Sequence, residues 1–147
     1  MSQARILLAK DIMTRSVVYL RPDLDIYAAI KVLLRRRISG APVLEGRSLV
    51  GILSERDCLQ LLTADTYHHH AGGKVQHYMT TDVKTIHPDD DIYSIAGVFL
   101  SRPIRRLPVT RDGKLLGLVS RRDVLTGIEQ AVRSAKSTSY PDYRKPA

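Results

Sequence analysis

The sequence contains very little cysteine and few large aromatic side chains. Cys58 is the single cysteine, tryptophan is absent, and phenylalanine occurs once, as Phe99. One cysteine excludes an intramolecular disulfide and a zinc site built from cysteines alone. Because Cys58 follows Asp57 in an apolar helical segment, we interpret it as a small core residue rather than a nucleophile. The shortage of aromatic rings also disfavours a nucleic-acid platform, which stacks bases on such rings.

Long apolar runs are missing as well. No segment approaches the roughly 18 apolar residues of a membrane span. The first ten residues contain only residues 6–9 as an apolar run, which is shorter than the hydrophobic core of a signal peptide. With 44% hydrophobic and 26% charged residues, the chain of 147 residues has the composition of a domain with a buried core. We therefore expect a soluble protein in the cytoplasm.

The chain also lacks the motifs of common catalytic sites. It has no P-loop, no Gly-x-Ser-x-Gly and no paired nucleophile and base. Residues 68–70 are three consecutive histidines with His77 nearby, but three neighbouring loop histidines cannot all face one ion, and no cysteine or carboxylate cluster completes a site. We therefore predict that the protein is not an enzyme, binds no metal and uses no catalytic cofactor.

What the chain has in excess is positive charge, with a formal net charge of +8. Such an excess attracts anions, whether nucleotide phosphates, nucleic acid or acidic lipid. A solvated basic surface is the alternative interpretation, above all for residues 35–37. The basic clusters are Arg35, Arg36 and Arg37; Arg105 and Arg106; Arg121 and Arg122; and Arg144 and Lys145.

An internal repeat organises the sequence. Adding 66 to a position in the first half gives its counterpart in the second, so that Met13 corresponds to Met79. The spacing needs no insertion or deletion from there to Asp57 and Asp123, which chance does not produce. The other matched positions include Thr14 with Thr80, Pro22 with Pro88, Asp25 with Asp91, Pro42 with Pro108, Gly51 with Gly117, and Ser54 with Ser120.

Each repeat is predicted to fold as β-α-β-β-α. Short β-branched runs at residues 17–20 and 83–86 predict a first strand, which the following proline ends because it cannot donate to a ladder. Apolar residues at i, i+3, i+4, i+7 and i+8 from Ile26 and from Ile92 predict a helix with one buried stripe. Asp25 and Asp91 occupy its start, where a carboxylate is favoured.

Two hairpins and a last helix complete the repeats. Residues 41–44 should pair with 49–53, and residues 107–110 with 115–119, the second pair across an Asp-Gly turn. A helix should then follow Ser54 and Ser120. One repeat of this size is marginal alone, so the two should pack against each other. The apolar stripes of the small halves leave surface for a second chain, so we predict a homodimer.

These patterns divide the chain into four segments. Residues 8–63 form the first repeat, 64–74 a polar linker, 75–132 the second repeat, and 133–147 a polar C-terminal tail. We expect the tail to be loose or to dock on a partner.

The motifs at residues 11–14, 41–43 and 51–57, with their counterparts at 78–80, 107–109 and 117–123, resemble a CBS (cystathionine beta-synthase) domain. The resemblance covers residues 10–132 and occurs twice, as in the tandem pair called a Bateman module. It implies an α/β (mixed α and β) fold with two three-stranded sheets packed together and two clefts related by a pseudo-twofold axis. Such pairs commonly dimerise into a flat disk.

The resemblance also implies a function. The family's usual ligands are AMP, ADP or ATP, with S-adenosylmethionine a less favoured candidate here, and its members usually regulate an attached enzyme or channel. Because no such partner is fused to this sequence, we expect a stand-alone CBS protein whose regulated partner is unidentified.

The Ser-x-x-Asp motif after each hairpin has two interpretations. A carboxylate at Asp57 or Asp123 can accept hydrogen bonds from two ribose hydroxyls, and the serine hydroxyl and free helix amides can meet a phosphate. The same spacing fits a capping box, in which Ser54 pairs with Asp57 and Ser120 with Asp123. The resemblance favours binding, because this carboxylate is where the family binds ribose, and we favour Asp123.

The residues before each Pro-Val differ between the repeats. Arg105 and Arg106 are placed where the family's basic side chains reach phosphates, and two guanidiniums suit a di- or triphosphate. The alternative is a solvated basic edge. Gly40, in the first repeat, instead allows a flat base to approach the backbone.

The segments at residues 16–18 and 82–84 enter the first strands, where the family holds adenine through main-chain groups and an apolar wall. Val17 and Val83 suit such a wall, although strand valines are commonly core residues. The nucleotide-binding candidates are Val17, Val18, Gly40, Ala41, Pro42, Ser54, Arg56, Asp57, Val83, Lys84, Arg105, Arg106, Leu107, Pro108, Ser120, Arg122 and Asp123.

The leading hypothesis is a regulatory, energy-sensing module that binds an adenine nucleotide in the clefts between the repeats. Bound ligand would change the geometry of the repeats or of the dimer, and thereby the affinity for a partner. A nucleic-acid binder that uses the positive charge and a ligand-free structural dimerisation protein are the alternatives.

Overall fold

The computed structural model describes residues 6–63 and 72–135. The histidines at residues 68–70, most of the predicted linker and the chain beyond residue 135 lie outside the described residues. The helices are α1 (Ala9–Ile12), α2 (Ile26–Arg36), α3 (Glu55–Cys58), α4 (Ile92–Ser101) and α5 (Arg121–Ala135), with 3-10 turns at Leu59–Leu62 and Val75–His77. The strands are β1 (Gly40–Glu45), β2 (Ser48–Ser54), β3 (Arg106–Arg111) and β4 (Lys114–Ser120).

The predicted first helices and their caps are confirmed. Asp25 accepts hydrogen bonds from the main-chain N–H groups of Tyr27 and Ala28, and Asp91 accepts one from Ser94. Each carboxylate thus satisfies amides that the first helical turn leaves without partners. Both helices bury one face, with Ile26 and Ile95 fully buried.

Both hairpins pair the predicted segments, with a register shift at Val43/Leu44 and at Val109/Thr110, and they join into one sheet. The sheet is antiparallel, with strand order β1-β2-β4-β3. The turn residues Asp112 and Gly113 both have positive φ, as an Asp-Gly hairpin turn requires. The two turns then pair with each other, since Leu49 donates to the Gly113 carbonyl at 2.9 Å and Leu115 to the Arg47 carbonyl at 3.0 Å.

The predicted first strands are reduced to single bridges, which corrects the expectation of two three-stranded sheets. In the first repeat, Leu20 donates to the Pro42 carbonyl at 2.9 Å and accepts from Leu44 at 2.8 Å. The next ladder bond on either side would need an N–H group from Pro42 or from Pro22, and proline has none. The prolines therefore limit this parallel pairing to two hydrogen bonds.

In the second repeat, the parallel pairing is limited to two hydrogen bonds in the same way. Ile86 donates to the Pro108 carbonyl and accepts from Thr110, both at 2.9 Å. Pro88 and Pro108 stand at the positions of Pro22 and Pro42, so the ladder stops at the same points.

The repeats exchange their N-terminal segments. Thr14 pairs through its main chain with Leu118 of β4, and Thr80 pairs with Ile52 of β2. As a result, each hydrophobic core combines residues of both repeats. One contains Leu20, Ile26, Ala29, Leu33, Ala41, Val43, Leu53 and Leu61 with Val75; the other contains Ile86, Ile95, Leu107, Val109, Val119 and Val124 with Ala9.

The last helices differ in length. In the first repeat, a single α-helical turn passes into the 3-10 turn Leu59–Leu62, whereas α5 continues to Ala135. In the described part of the chain, we find no helix with the length and apolar character needed to cross a bilayer.

Candidate functional site

Two adjacent clefts open between the repeats. The larger, which we call the Ser54 cleft, has a volume of about 500 Å³, and the smaller, the Asp123 cleft, about 290 Å³. Both are lined by Gly40, Arg106 and Leu118. Gly40 and Arg106 are counterparts in the repeat, and an Arg106 guanidinium nitrogen lies 3.4 Å from the Gly40 carbonyl oxygen. The starts of β1 and β3 therefore meet at the wall that the clefts share.

The Ser54 cleft is bordered by the start of β1, the end of β2 and the loop before β3. Its rim carries two guanidinium groups in addition to Arg106, those of Arg56 and Arg105, and one carboxylate, that of Glu55. This arrangement suits an anionic ligand. The remaining lining residues are Ser39, Ala41, Pro42, Ile52, Ser54, Pro103 and Ile104.

The Asp123 cleft is built from both repeats. The main-chain N–H and carbonyl of Thr14 pair with Leu118 at 2.8 and 3.0 Å, which carries residues 16–18 past the end of β4. A Cβ at Gly117 would lie 2.7 Å from the Thr14 carbonyl oxygen, so only glycine lets the segment lie this close to the strand. The lining residues besides the shared three are Thr14, Ser16, Val17, Val18, Ile38, Ser120 and Asp123.

The Ser-x-x-Asp motifs form the predicted capping boxes in both repeats. Asp57 accepts from the Ser54 amide at 2.9 Å and donates its own amide to the Ser54 hydroxyl at 3.1 Å. Ser120 and Asp123 make the same two bonds at 2.8 and 3.0 Å. In each carboxylate the capping bond uses only Oδ2, so the structural role leaves Oδ1 for a second partner.

The second carboxylate oxygen differs between the repeats. Oδ1 of Asp57 accepts a hydrogen bond of 3.1 Å from the Thr80 hydroxyl, and the residue is only 9% exposed. Oδ1 of Asp123 has no hydrogen-bond partner among residues 6–63 and 72–135, and Asp123 lines its cleft. Of the two carboxylates, only that of Asp123 combines a position in a cleft lining with an oxygen that has no hydrogen-bond partner in the described parts of the chain.

Arginines extend the positive charge around the clefts. Arg121 donates to the Ile104 carbonyl at 3.0 Å, which ties the start of α5 to the loop before β3. That loop carries Arg105, whose side chain is exposed, whereas Arg106 is partly buried. A partly buried guanidinium between two clefts is less screened by solvent than a surface one.

Most predicted binding residues line one of the clefts, and six do not. The lining includes Gly40, Ala41, Pro42, Ser54, Arg56, Arg105 and Arg106 in the Ser54 cleft, and Val17, Val18, Ser120 and Asp123 in the Asp123 cleft. The six others are the buried Asp57, Leu107 and Pro108, the partly buried Val83, and the exposed Lys84 and Arg122.

The sequence interpretation includes residue 16 in a segment that holds adenine, but it missed Thr14, Ile38 and Leu118 in the Asp123 cleft and the contact of Thr80 with Asp57. The Met-Thr pair was recognised only as a landmark of the repeat. Its repetition at the same offset was a signal that the threonine has a defined place, but nothing in the sequence shows that the segments are exchanged.

Cys58 packs against the first core, at the position that Val124 has in the second repeat. Burial, followed by the charges of Asp57 and Glu55, raises the pKa of its thiol. The thiol is therefore protonated at neutral pH, as expected of a small apolar core residue rather than a reactive one.

Comparison with known proteins agrees with this architecture. The CBS domain family matches residues 9–64 and 75–130. The chain is 32% identical to the uncharacterized protein MJ1426 of Methanocaldococcus jannaschii, in an alignment that covers 84% of this chain and 92% of that protein. The chain belongs to the CBS domain family, and it contains a tandem pair.

A solved structure gives the same fold with a ligand. The crystal structure of CBSX2 of Arabidopsis thaliana in complex with AMP superposes with a TM-score of 0.76 at 27% identity, covering 86% of this chain and 98% of that one.

Other relatives are longer. The uncharacterized protein MJ1225 of Methanocaldococcus jannaschii is 27% identical over 79% of this chain but only 41% of its own length. The chain spans about two fifths of the length of the first three curated relatives that it matches.

Proposed function

We propose that the protein is a non-catalytic regulatory module of the cytoplasm that binds an adenine nucleotide between its repeats. The observation that carries the proposal is the Asp123 carboxylate, which keeps Oδ1 without a partner among the described residues while it lines a cleft. The AMP bound to a CBS pair of the same fold at 27% identity supports an adenine nucleotide as the ligand.

The lining residues fit the three parts of a nucleotide. Oδ1 of Asp123 can accept hydrogen bonds from the ribose 2′ and 3′ hydroxyls. Val17, Val18 and Ile38 give an apolar wall for the base, and Arg106 supplies charge for a phosphate. Because residues of both repeats surround the ligand, binding would favour one relative placement of the repeats.

This coupling is what would make the module regulatory. A partner that binds one arrangement of the repeats better than another would respond to the nucleotide, and the nucleotide would respond to the partner by the same factor. The regulated partner would be a protein that contacts a surface of this module spanning both repeats, because such a surface changes with the angle between them.

The nucleotide proposal is tested by calorimetric titration of wild-type protein with AMP, ADP, ATP and S-adenosylmethionine. We expect binding of at least one adenine nucleotide and a raised melting temperature. The absence of heat and of a melting shift with all four ligands would contradict the proposal and favour a ligand-free dimerisation role. Binding of RNA or DNA oligonucleotides without mononucleotide binding would favour the nucleic-acid alternative.

The ribose assignment has its own test, in which ATP is compared with 2′-deoxy-ATP. The deoxynucleotide leaves a partly buried carboxylate without one hydrogen bond, which costs roughly 1–3 kcal/mol, or about 5- to 150-fold in affinity. Asp123→Ala should abolish this discrimination. If Asp123 acted only as a helix cap, the variant would melt at a lower temperature while the ATP to deoxy-ATP ratio stayed unchanged.

We further propose that the active form is a homodimer. Apolar side chains remain exposed at repeat-related positions of the helices, with Leu34 69% and its counterpart Leu100 88% exposed. Two more pairs share the property, Leu59 with Leu125 and Leu62 with Ile128. Exposed apolar surface repeated on both halves suits a self-complementary interface with a second copy.

The dimer is tested by light scattering at micromolar concentration, with and without nucleotide. We expect a mass of twice the chain, and we expect Leu34→Glu combined with Leu100→Glu to give a folded monomer. A monomeric wild-type protein under both conditions would overturn the dimer proposal and leave nucleotide binding unaffected.

A further inference from the structure

We infer that each chain binds one nucleotide rather than two, because the Thr80 hydroxyl occupies the ribose acceptor of the first repeat. This inference rests on the proposed function, since it assigns the number of working sites and names the residue that closes one of them.

The contact of Thr80 with Asp57 engages the oxygen that the helix cap leaves free, and it takes one of the two hydrogen bonds that this oxygen can accept. Oδ2 of Asp57 accepts from the Ser54 amide at 2.9 Å, and Oδ1 accepts from the Thr80 hydroxyl at 3.1 Å. A ribose that donates both its 2′ and 3′ hydroxyls to Oδ1 of Asp57 could bind only by displacing Thr80, and the 9% exposure of Asp57 leaves little room for that exchange.

The position of Thr80 is fixed by the main chain. Its N–H donates to the Ile52 carbonyl at 2.8 Å and its carbonyl accepts from the Ile52 N–H at 2.9 Å. These two bonds anchor the residue on β2, so its hydroxyl stays within reach of Asp57. A Cβ at Gly51 would lie 2.8 Å from the Thr80 carbonyl oxygen, which shows how closely the segment lies on the strand.

The second repeat provides the internal comparison. Thr14 pairs with Leu118 through the same two main-chain bonds, at 2.8 and 3.0 Å. Between Thr14 and Asp123, both within the described residues, no side-chain hydrogen bond forms, and Asp123 lines a cleft while Asp57 lines neither. The main-chain pairing is the same in both repeats. The difference is that the Thr80 hydroxyl donates to Asp57, whereas the Thr14 hydroxyl does not donate to Asp123.

One hydroxyl group therefore distinguishes a closed site from an open one. Thr80→Val removes the hydroxyl and keeps the size and branching of the side chain, so Oδ1 of Asp57 becomes available to a ligand. Thr80→Ser keeps the hydroxyl. Thr81→Val is the matched control, because it makes the same change at the neighbouring exposed residue, which lines neither cleft.

The experiment is calorimetric titration of ATP, and separately of AMP, into the wild-type chain and these variants, with the number of sites counted per chain. We expect one site in the wild type, in Thr80→Ser and in Thr81→Val, and two sites in Thr80→Val. Adding Asp57→Asn to Thr80→Val should return the count to one.

Other results decide against the inference in distinguishable ways. Two sites of similar affinity in the wild type would overturn the closure by Thr80 while leaving the proposed function intact. One site in a Thr80→Val protein of unchanged melting temperature would do the same. No binding in any variant would overturn the proposed function and this inference with it.

Discussion

The two repeats share their main-chain architecture and differ in the polar side chains around the clefts. Both pair a Met-Thr segment with the second strand of the other repeat's hairpin, and both place an aspartate in a capping box. Yet Asp57 is enclosed and Asp123 lines a cleft. Backbone symmetry is maintained by packing and main-chain hydrogen bonds, whereas ligand chemistry depends on a few side chains that can diverge independently.

The same contrast holds for charge. Arg105 and Arg106 in the second repeat correspond to Ser39 and Gly40 in the first, so one edge of the clefts is basic and its counterpart is uncharged. A ligand with a charged end and a flat end would be oriented by this difference. The proposed nucleotide binding therefore depends on the asymmetry of the clefts as well as on the symmetry of the fold.

Substitution of the glycines in β2 and β4 is expected to give the largest difference between the two repeats. Gly117→Ala and Gly51→Ala should each lower the free energy of unfolding by about 1–3 kcal/mol, because the added Cβ overpacks against a main-chain carbonyl. Only Gly117→Ala should also weaken nucleotide binding, because it displaces the segment that lines the Asp123 cleft. Chemical denaturation and calorimetric titration measure the two effects.

Gly97→Ala is the control for the glycine pair. Gly97 is exposed within α4, and a Cβ there meets nothing within 4 Å, so alanine should be neutral or stabilising by up to about 1 kcal/mol. Equal losses of nucleotide affinity in Gly51→Ala and Gly117→Ala would contradict the assignment of binding to one cleft.

A smaller effect is expected from the basic edge. Replacing Arg105 and Arg106 together by alanine should weaken ATP more than adenosine by about 1–2 kcal/mol. Arg106 lines the Asp123 cleft and would lose its charged hydrogen bonds to phosphate, whereas the exposed Arg105 in the adjoining cleft would add only a solvent-screened attraction. Calorimetric titration of both ligands measures the difference.

Arg35→Ala with Arg36→Ala is the charge-matched control for this pair. It removes two exposed positive charges at the end of α2, outside both cleft linings. If the control weakened ATP as much as the Arg105 and Arg106 pair, the effect would be long-range attraction rather than contact with phosphate.

The smallest effect concerns acid stability. The hydrogen bond from Lys10, helped by the charges of Lys10, His87 and Arg111, lowers the pKa of Asp89. In the other half, Gln76 is the counterpart of Lys10 and carries no charge.

A carboxylate whose pKa is lowered by folding stabilises the protein above its ordinary pKa, and this contribution is lost as the pH falls through the folded-state value. Asp89→Asn should therefore make the melting temperature fall less steeply below about pH 4, near the ordinary aspartate pKa. An unchanged slope would show that this exposed cluster contributes nothing measurable to stability.

Much of the fold could be predicted because local chemistry specified it. The apolar period of α2 and α4, their aspartate caps and the Asp-Gly turn are local signals, and all three are confirmed. The first strands were the exception. Their β-branched residues favour a strand, but the prolines that end the ladder lie partly on the neighbouring strand, so only the pairing shows that Pro42 and Pro108 remove the next bond.

The site was less predictable than the fold. The Ser-x-x-Asp motif is visible in the sequence, but its spacing fits both a helix cap and a ligand-binding carboxylate. It could not show that Val17 lies beside Asp123 rather than beside Asp57, because the exchange of segments is a contact between distant parts of the chain. Nor could it show that Thr80 donates to Asp57 while Thr14 makes no equivalent bond, since the two threonines occupy matched positions in the repeat.

The prolines of β1 and β3 have a further consequence for solubility. These strands are the two edges of the sheet, where unpaired main-chain groups can recruit a strand from another molecule and start aggregation. Pro42 and Pro108 remove one outward donor from each edge, and the bridges of Leu20 and Ile86 occupy the carbonyl groups of the same prolines. The sheet thus presents edges that resist intermolecular β-pairing, so strand addition would not compete with the proposed dimer contact through helices.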